Sequence, residues 1–228
     1  MSSADELSNW LASIPAEWTT GCGDAVFVGA RKAYETPARQ YHNWHHIESC
    51  VAELPSLRCD HPRTVFLALV FHDAVYVAGR TDNEAKSAEL ARTTLGGDSC
   101  VNGVELDAID RMIRATRDHH AHASSADRDL AVMLDIDLSI LGADRDEYQR
   151  YARAIHDEYV PLATTDIQFR IGRLEFLQRT LALQSVFITP EAAQRWDTSA
   201  RANIAWEIDL LRGEQGLVER AVAAIRRQ

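Results

Sequence analysis

"AWEIDLLRG", residues 205–213, is the stretch that decides the architecture. With the residue before it, it sets Ile204, Ile208 and Leu211 at i, i+4, i+7 spacing. That is one stripe of a 3.6-residue helix, with polar residues between and Gly213 as the expected stop. "LEFLQRTLALQSVF", residues 174–187, repeats the period through Leu174, Leu177, Leu181 and Phe187. No period-2 run bounded by hairpin dipeptides competes with it. Extended along the chain, this reading predicts helices near 5–14, 22–35, 43–54, 63–73, 82–95, 104–117, 127–135, 144–160, 166–186 and 191–212, with a last one to about 226. Loops fall at "GRTDN" (79–83), "LGGDSCVNG" (95–103) and "LGADRD" (141–146), where Gly, Asp and Asn collect. With no repeat and no long linker, residues 1–228 read as one all-α domain, a helical bundle with a C-terminal helical extension.

Composition narrows the function classes. The chain has 228 residues, 46% of them hydrophobic, enough to bury a substantial core. The formal net charge is −10, and only Lys32 and Lys86 among 24 basic residues are lysines. So acidic a surface repels phosphate backbones and argues against nucleic acid as a partner. A small phosphorylated substrate remains possible, because a bound cation and a few arginines reverse the sign locally. The longest apolar run, "VFLALVF" at 65–71, is far short of the roughly 20 residues a membrane span needs, so no membrane partner is expected. Acidic residues occupy "MSSADELSNW", residues 1–10, where a secretory leader carries basic ones. The four cysteines, Cys22, Cys50, Cys59 and Cys100, show no C-x-x-C pair. A cytoplasmic protein with reduced thiols is the expectation.

The chemistry collects around histidine. "YHNWHHI", residues 41–47, holds His42, His45 and His46; His72 stands directly before Asp73 in "LVFHDAVY"; His119, His120 and His122 follow in "ATRDHHAHAS". The His72–Asp73 doublet ends an apolar stretch that reads as a buried helix. A buried doublet is costly unless something satisfies it. Imidazole and carboxylate together suit a divalent metal, and a buried ion pair is the alternative. Asp135 and Asp137, inside the apolar run "MLDIDLSILG" (133–142), again ask for a cation or for donors. The alternative there is an exposed Asp135 with Asp137 capping the next turn.

A histidine, a His-Asp doublet and a distant aspartate, in that order, resemble the signature of the HD superfamily of metal-dependent phosphohydrolases. His46, His72, Asp73 and Asp137 fit it, with 26 residues from His46 to His72 and 64 from Asp73 to Asp137. The likeness narrows to a bacterial group of predicted metal-dependent HD-superfamily phosphohydrolases through seven ordered motifs: "YETPARQYHNWHHI" (34–47), "FHDAVY" (71–76), "DNEAKSA" (82–88), "ATRDH" (115–119), "LDIDLSILG" (134–142), "YQRYARAIHDEY" (148–159) and "ARANIAWEI" (200–208). This chain departs from the group's pattern at Arg117, where lysine is favoured, and at His156, where arginine is favoured.

The resemblance implies an HD-type helical bundle holding one divalent cation (Mn, Mg, Co, Ni, Zn or Fe) on His46, His72, Asp73 and Asp137. It selects His46 over His42 and Asp137 over Asp135. A water activated by the ion would attack a small phosphorylated substrate, a nucleotide in the first instance. Asp73, His42, Glu84 and His119 are the candidate catalytic groups, with His42 or His119 as proton donor to the leaving oxygen. Glu84 reads equally as an acid in a helix's first turn. Thr116, Lys86, Arg39 and Arg153 are candidate substrate contacts; Arg170 and Arg201 also stand at motif positions. A second ion would draw on His42, Glu84, His119 or His120, with Asp73 as bridge, and would turn the reading towards a di-iron oxygenase. A non-catalytic nucleotide sensor is the third reading.

Overall fold

A computed structural model of the chain describes the backbone of residues 3–97, 100–160 and 162–225, and the side chains of residues 5–97, 100–160 and 162–213. The helices are α1 (Ser3–Ser13), α2 (Ala16–Thr19), α3 (Asp24–Tyr34), α4 (Trp44–Glu53), α5 (Pro62–Phe71), α6 (Asn83–Gly97), α7 (Gly103–Ala115), α8 (Arg128–Asp137), α9 (Arg145–Tyr159), α10 (Asp166–Leu181) and α11 (Pro190–Ile225). Short 3-10 turns occupy Leu54–Ser56, Thr116–His122 and Ser139–Gly142. No strand occurs among the described residues. None of the described helices is long and apolar enough to cross a membrane.

The bundle is organised around α5. Pro62 opens it, where a missing N–H costs nothing, and every residue from Thr64 to Phe71 is buried. A helix apolar on all sides has to be surrounded, and α5 is packed by α2, α4, α6, α7 and α8. Helix α8 is the second interior element, buried from Asp129 to Ile136. Helices α4, α7, α8, α9 and α10 start on side-chain caps. Asn43, Asn102, Asp127 and Asp144 each accept a backbone N–H of the first turn, and Thr165 with Gln168 forms a reciprocal capping box.

Two acids on α8 that look like orphans have backbone partners. Asp129 accepts the N–H groups of Asp60 and His61 at 2.6 and 3.1 Å. Asp135 accepts those of Ile188 and Thr189 at 2.6 and 2.7 Å, fixing the entry to α11. Asp135 is therefore neither exposed nor part of a cation site.

Four departures from the sequence reading have physical causes. Helix α2 was not expected, because its four residues are too few to show a period. Gly213 does not stop α11, since one glycine costs a helix interior only about 1 kcal/mol and "EQGLVER" after it favours helix. Helix α10 ends at Leu181 rather than near 186, where Arg201 binds the carbonyls of Leu181, Leu183 and Gln184. Finally, Cys22 and Cys100 are joined in a disulfide, their Cα atoms 4.5 Å apart. The expectation of reduced thiols holds only for Cys50 and Cys59. The partners lie 78 residues apart, so local spacing carried no signal of the pair. Two residues of the expected loop at 95–103 and the end of the last expected helix lie outside the described residues.

Candidate metal centre and its cavity

Three helix ends converge on one point. Asn43 caps α4, and the first turn then carries His45 outward, with its side chain 86% exposed, and His46 inward beside Ile47, Cys50 and Val51. Helix α5 terminates at His72, its C-cap, so the doublet emerges where the buried helix ends. Asp137 is the last residue of α8.

The distances define the cluster. His46 Nε2 lies 3.3 Å from His72 Nε2 and 3.2 Å from Asp137 Oδ1. His72 Nε2 lies 3.3 Å from Asp137 Oδ1 and 3.2 Å from Asp73 Oδ2. Asp73 Oδ2 is 4.0 Å from His46 Nε2. Atoms that share a metal at about 2.1 Å stand roughly 3.0–3.4 Å apart, so four of these five separations match the edges of a coordination shell. The tautomer agrees. His72 Nδ1 donates to the Leu69 carbonyl at 2.8 Å, which turns its Nε2 to the common point. His46, His72 and Asp137 can thus hold a metal ion, with Asp73 at the rim of the same group.

Electrostatics point the same way. Burial works against charge on His72, yet Asp73 and Asp137 outweigh it and hold the imidazole well above its ordinary pKa. Burial likewise works against charge on Asp137, but His72, His119 and His46 keep its carboxyl well below the usual range. The cluster attracts positive charge at its centre. The Cys50 thiol lies against the His46 ring, 3.6 Å from Nδ1 and 3.7 Å from Nε2.

Two further histidines frame the cluster. A kink at Asp118 (φ −145°, ψ 84°) interrupts the turn after α7 and brings His119 Nε2 to 3.0 Å from Asp137 Oδ2, the oxygen not facing the other histidines. His42 is held from behind. Glu158, buried, accepts the backbone N–H groups of Tyr41 and His42 at 3.0 and 3.1 Å and pairs closely with His42 Nδ1. Tyr76 stacks on the imidazole with ring centroids 4.0 Å apart.

A cavity of about 640 Å³ opens onto this arrangement, and His42, Asp73, Glu84, Thr116, His119 and Asp137 all line it. Three expected substrate contacts lie elsewhere. Arg39 is buried and binds the carbonyls of His42, Asp73, Ala74 and Tyr76 at 2.7–3.4 Å, stapling the loop before α4 to the segment after the doublet. Lys86 pairs with Asp82 on the surface at 3.6 Å. It stands two residues from Glu84, and residues two apart on a helix point some 200° apart. Arg153 lines a separate groove with His156 and Trp206, because Tyr151 and Ile155, two residues to either side, face the cavity. Arg170 pairs with Asp166. His120 bonds to Thr180 Oγ1 at 3.0 Å, away from the cluster.

The cavity also holds residues that the sequence reading did not select. Arg117 lines it in the same run as His119. Arg173 lines it from α10, paired with Glu207, a partner 34 positions away that no local pattern signals. Glu158, buried on α9, sets the orientation of His42 from 116 residues away.

His45 and His46 provide a direct test of which face of α4 meets the cluster. His45→Ala should leave divalent-ion binding unchanged and stability within about 0.5 kcal/mol of wild type. His46→Ala should abolish binding measured by calorimetry. Equal losses from both would overturn the assignment of the inward face.

No protein-family model, curated protein or solved structure matches this chain.

Proposed function

We propose that this chain is a metal-dependent phosphohydrolase of HD type, acting on a small phosphorylated molecule. One observation carries the reading: His46, His72 and Asp137 meet at coordination-edge spacing with Asp73 beside His72, and Asp73 and Asp137 line a cavity that also contains His42 and Arg117. His46, His72, Asp73 and Asp137 would hold the divalent ion. Bound there, the ion would lower the pKa of a water from near 16 towards neutrality and polarise a phosphoryl oxygen.

The remaining work belongs to side chains. Glu158 on Nδ1 leaves His42 Nε2 free to face the cavity, so His42 is the better placed donor of a proton to the leaving oxygen. His119 is engaged by Asp137 and acts by holding that carboxylate. Arg117 offers a planar fork for phosphate oxygens. Arg39 acts at one remove, by fixing the backbone at Asp73 and His42.

The test is release of inorganic phosphate from nucleotides and simple phosphomonoesters by protein reconstituted with Mn, Mg, Co, Ni, Zn or Fe. Release should require the ion and cease on chelation. No release with any ion, or release indifferent to chelator, would sink the reading. His119 on the second oxygen of Asp137, with Glu84 on the same cavity, favours a two-ion centre as the alternative. Two irons per chain with substrate-dependent oxygen consumption would establish that oxygenase instead.

A further inference from the structure

We infer that the cavity selects a phosphate monoester carried on a flat ring, and that it rejects di- and triphosphates. This rests on the phosphohydrolase reading above and goes beyond it by fixing the charge and shape of the substrate.

Charge comes first. Two guanidinium groups line the cavity, those of Arg117 and Arg173. Arg173 is committed: its Nε and Nη2 meet the two oxygens of Glu207 at 2.8 and 3.0 Å, and its Nη1 meets Tyr151 Oη at 3.0 Å. Arg117 is exposed at the cavity wall, with no acceptor among the described residues. Against it stand the carboxylates of Asp73, Glu84 and Asp137. One divalent ion and Arg117 together offset those three carboxylates and leave no surplus positive charge. A proton on His42 is matched by Glu158. The ester phosphate would meet the ion and Arg117 directly, which offsets its own charge; each further phosphate would lie beyond both without a counter-charge, and an unpaired buried charge is strongly unfavourable.

Shape comes second. Away from the cluster, the cavity wall is formed by Tyr76, Tyr159, Phe169, Phe176 and Ile155. Tyr76 and Tyr159 join their hydroxyls at 3.1 Å, and Tyr159 packs on Phe169 with centroids 5.9 Å apart. Tyr76 gives a face to His42, so a ligand would meet the cavity-lining surfaces of the half-buried Tyr159, Phe169 and Phe176. Apolar and aromatic walls with few polar groups bind flat organic rings. A ring placed there, with its ester phosphate at the cluster, fits a cavity of about 640 Å³.

The reaction implied is hydrolysis of one bond. A water oxygen bonds to phosphorus, the bond from phosphorus to the ester oxygen breaks, and that oxygen takes a proton to leave as the ring-bearing alcohol beside inorganic phosphate. No redox partner enters.

Binding of inert analogues tests the inference apart from turnover. Calorimetry of Mn²⁺-loaded protein at fixed free Mn²⁺ would compare phenylphosphonate, methylphosphonate and methylenediphosphonate. Phenylphosphonate should bind at least about tenfold tighter than methylphosphonate. Phe169→Leu and Phe176→Ala should each reduce that advantage while leaving methylphosphonate affinity and the helical circular dichroism intact. Methylenediphosphonate should bind no tighter than methylphosphonate. An absent ring advantage, or a tighter diphosphonate, overturns the inference. If the ring preference holds but neither adenosine 5′-monophosphate nor phenyl phosphate is hydrolysed, the hydrolase reading fails while the ligand class stands. If both are hydrolysed, their kcat/KM values distinguish a nucleoside from a simple aryl group as the ring.

Discussion

His72→Ala should bind no divalent ion and gain nothing from one in thermal unfolding. Wild type, at an ion concentration 100 times its Kd, should gain about 2.7 kcal/mol. The reason is geometric: His72 Nε2 stands within 3.3 Å of His46, Asp73 and Asp137 alike, so it is the common neighbour of the cluster. Its removal leaves the two carboxylates with only His46, which is 3.2 Å from Asp137 but 4.0 Å from Asp73. Helical content should survive, because His72 is the C-cap of α5 and makes no bond that the helix interior needs. A His72→Ala protein that kept a full equivalent of metal by elemental analysis would show that the ion sits elsewhere.

Breaking the Arg173–Glu207 pair should have the largest effect on stability. Both side chains are at most 8% exposed and share two hydrogen bonds, and Tyr148 Oη donates to the same carboxylate at 2.5 Å. Either Arg173→Met or Glu207→Leu leaves a buried charge unmatched and should cost about 3–5 kcal/mol in urea unfolding. The double variant should cost clearly less than the two single losses together, because no charge is then stranded. Additive losses, or a single loss under about 1 kcal/mol, would mean that the pair is solvated.

What could be read from the sequence divides along physical lines. Periodicity made α10 and α11 legible through their repeated apolar positions, and an unbroken apolar run made α5 legible. The two neighbours His72 and Asp73 were legible as a costly doublet because the run before them left no doubt about burial. The convergence of His46 and Asp137 on that doublet is a tertiary fact, and only the likeness to HD proteins pointed to it. Arg39, Arg153 and Lys86 show the limit. A motif position marks a residue as worth having, but it does not distinguish a guanidinium that binds phosphate from one that holds backbone carbonyls. The Cys22–Cys100 and Arg173–Glu207 pairs were illegible for the same reason, since each joins residues far apart in the chain.

The two sides of Asp137 rest on foundations of unequal stiffness. One oxygen faces groups anchored on α4, α5 and α8, elements packed through the interior, which open only with the whole bundle. The other faces His119, carried on a short kinked 3-10 turn with no buried residue of its own. With fewer buried contacts to break, the His119 side opens at a lower free-energy cost than the opposite wall. The carboxylate thus has one stiff and one yielding neighbour, and the cavity wall gives way most easily on the His119 side.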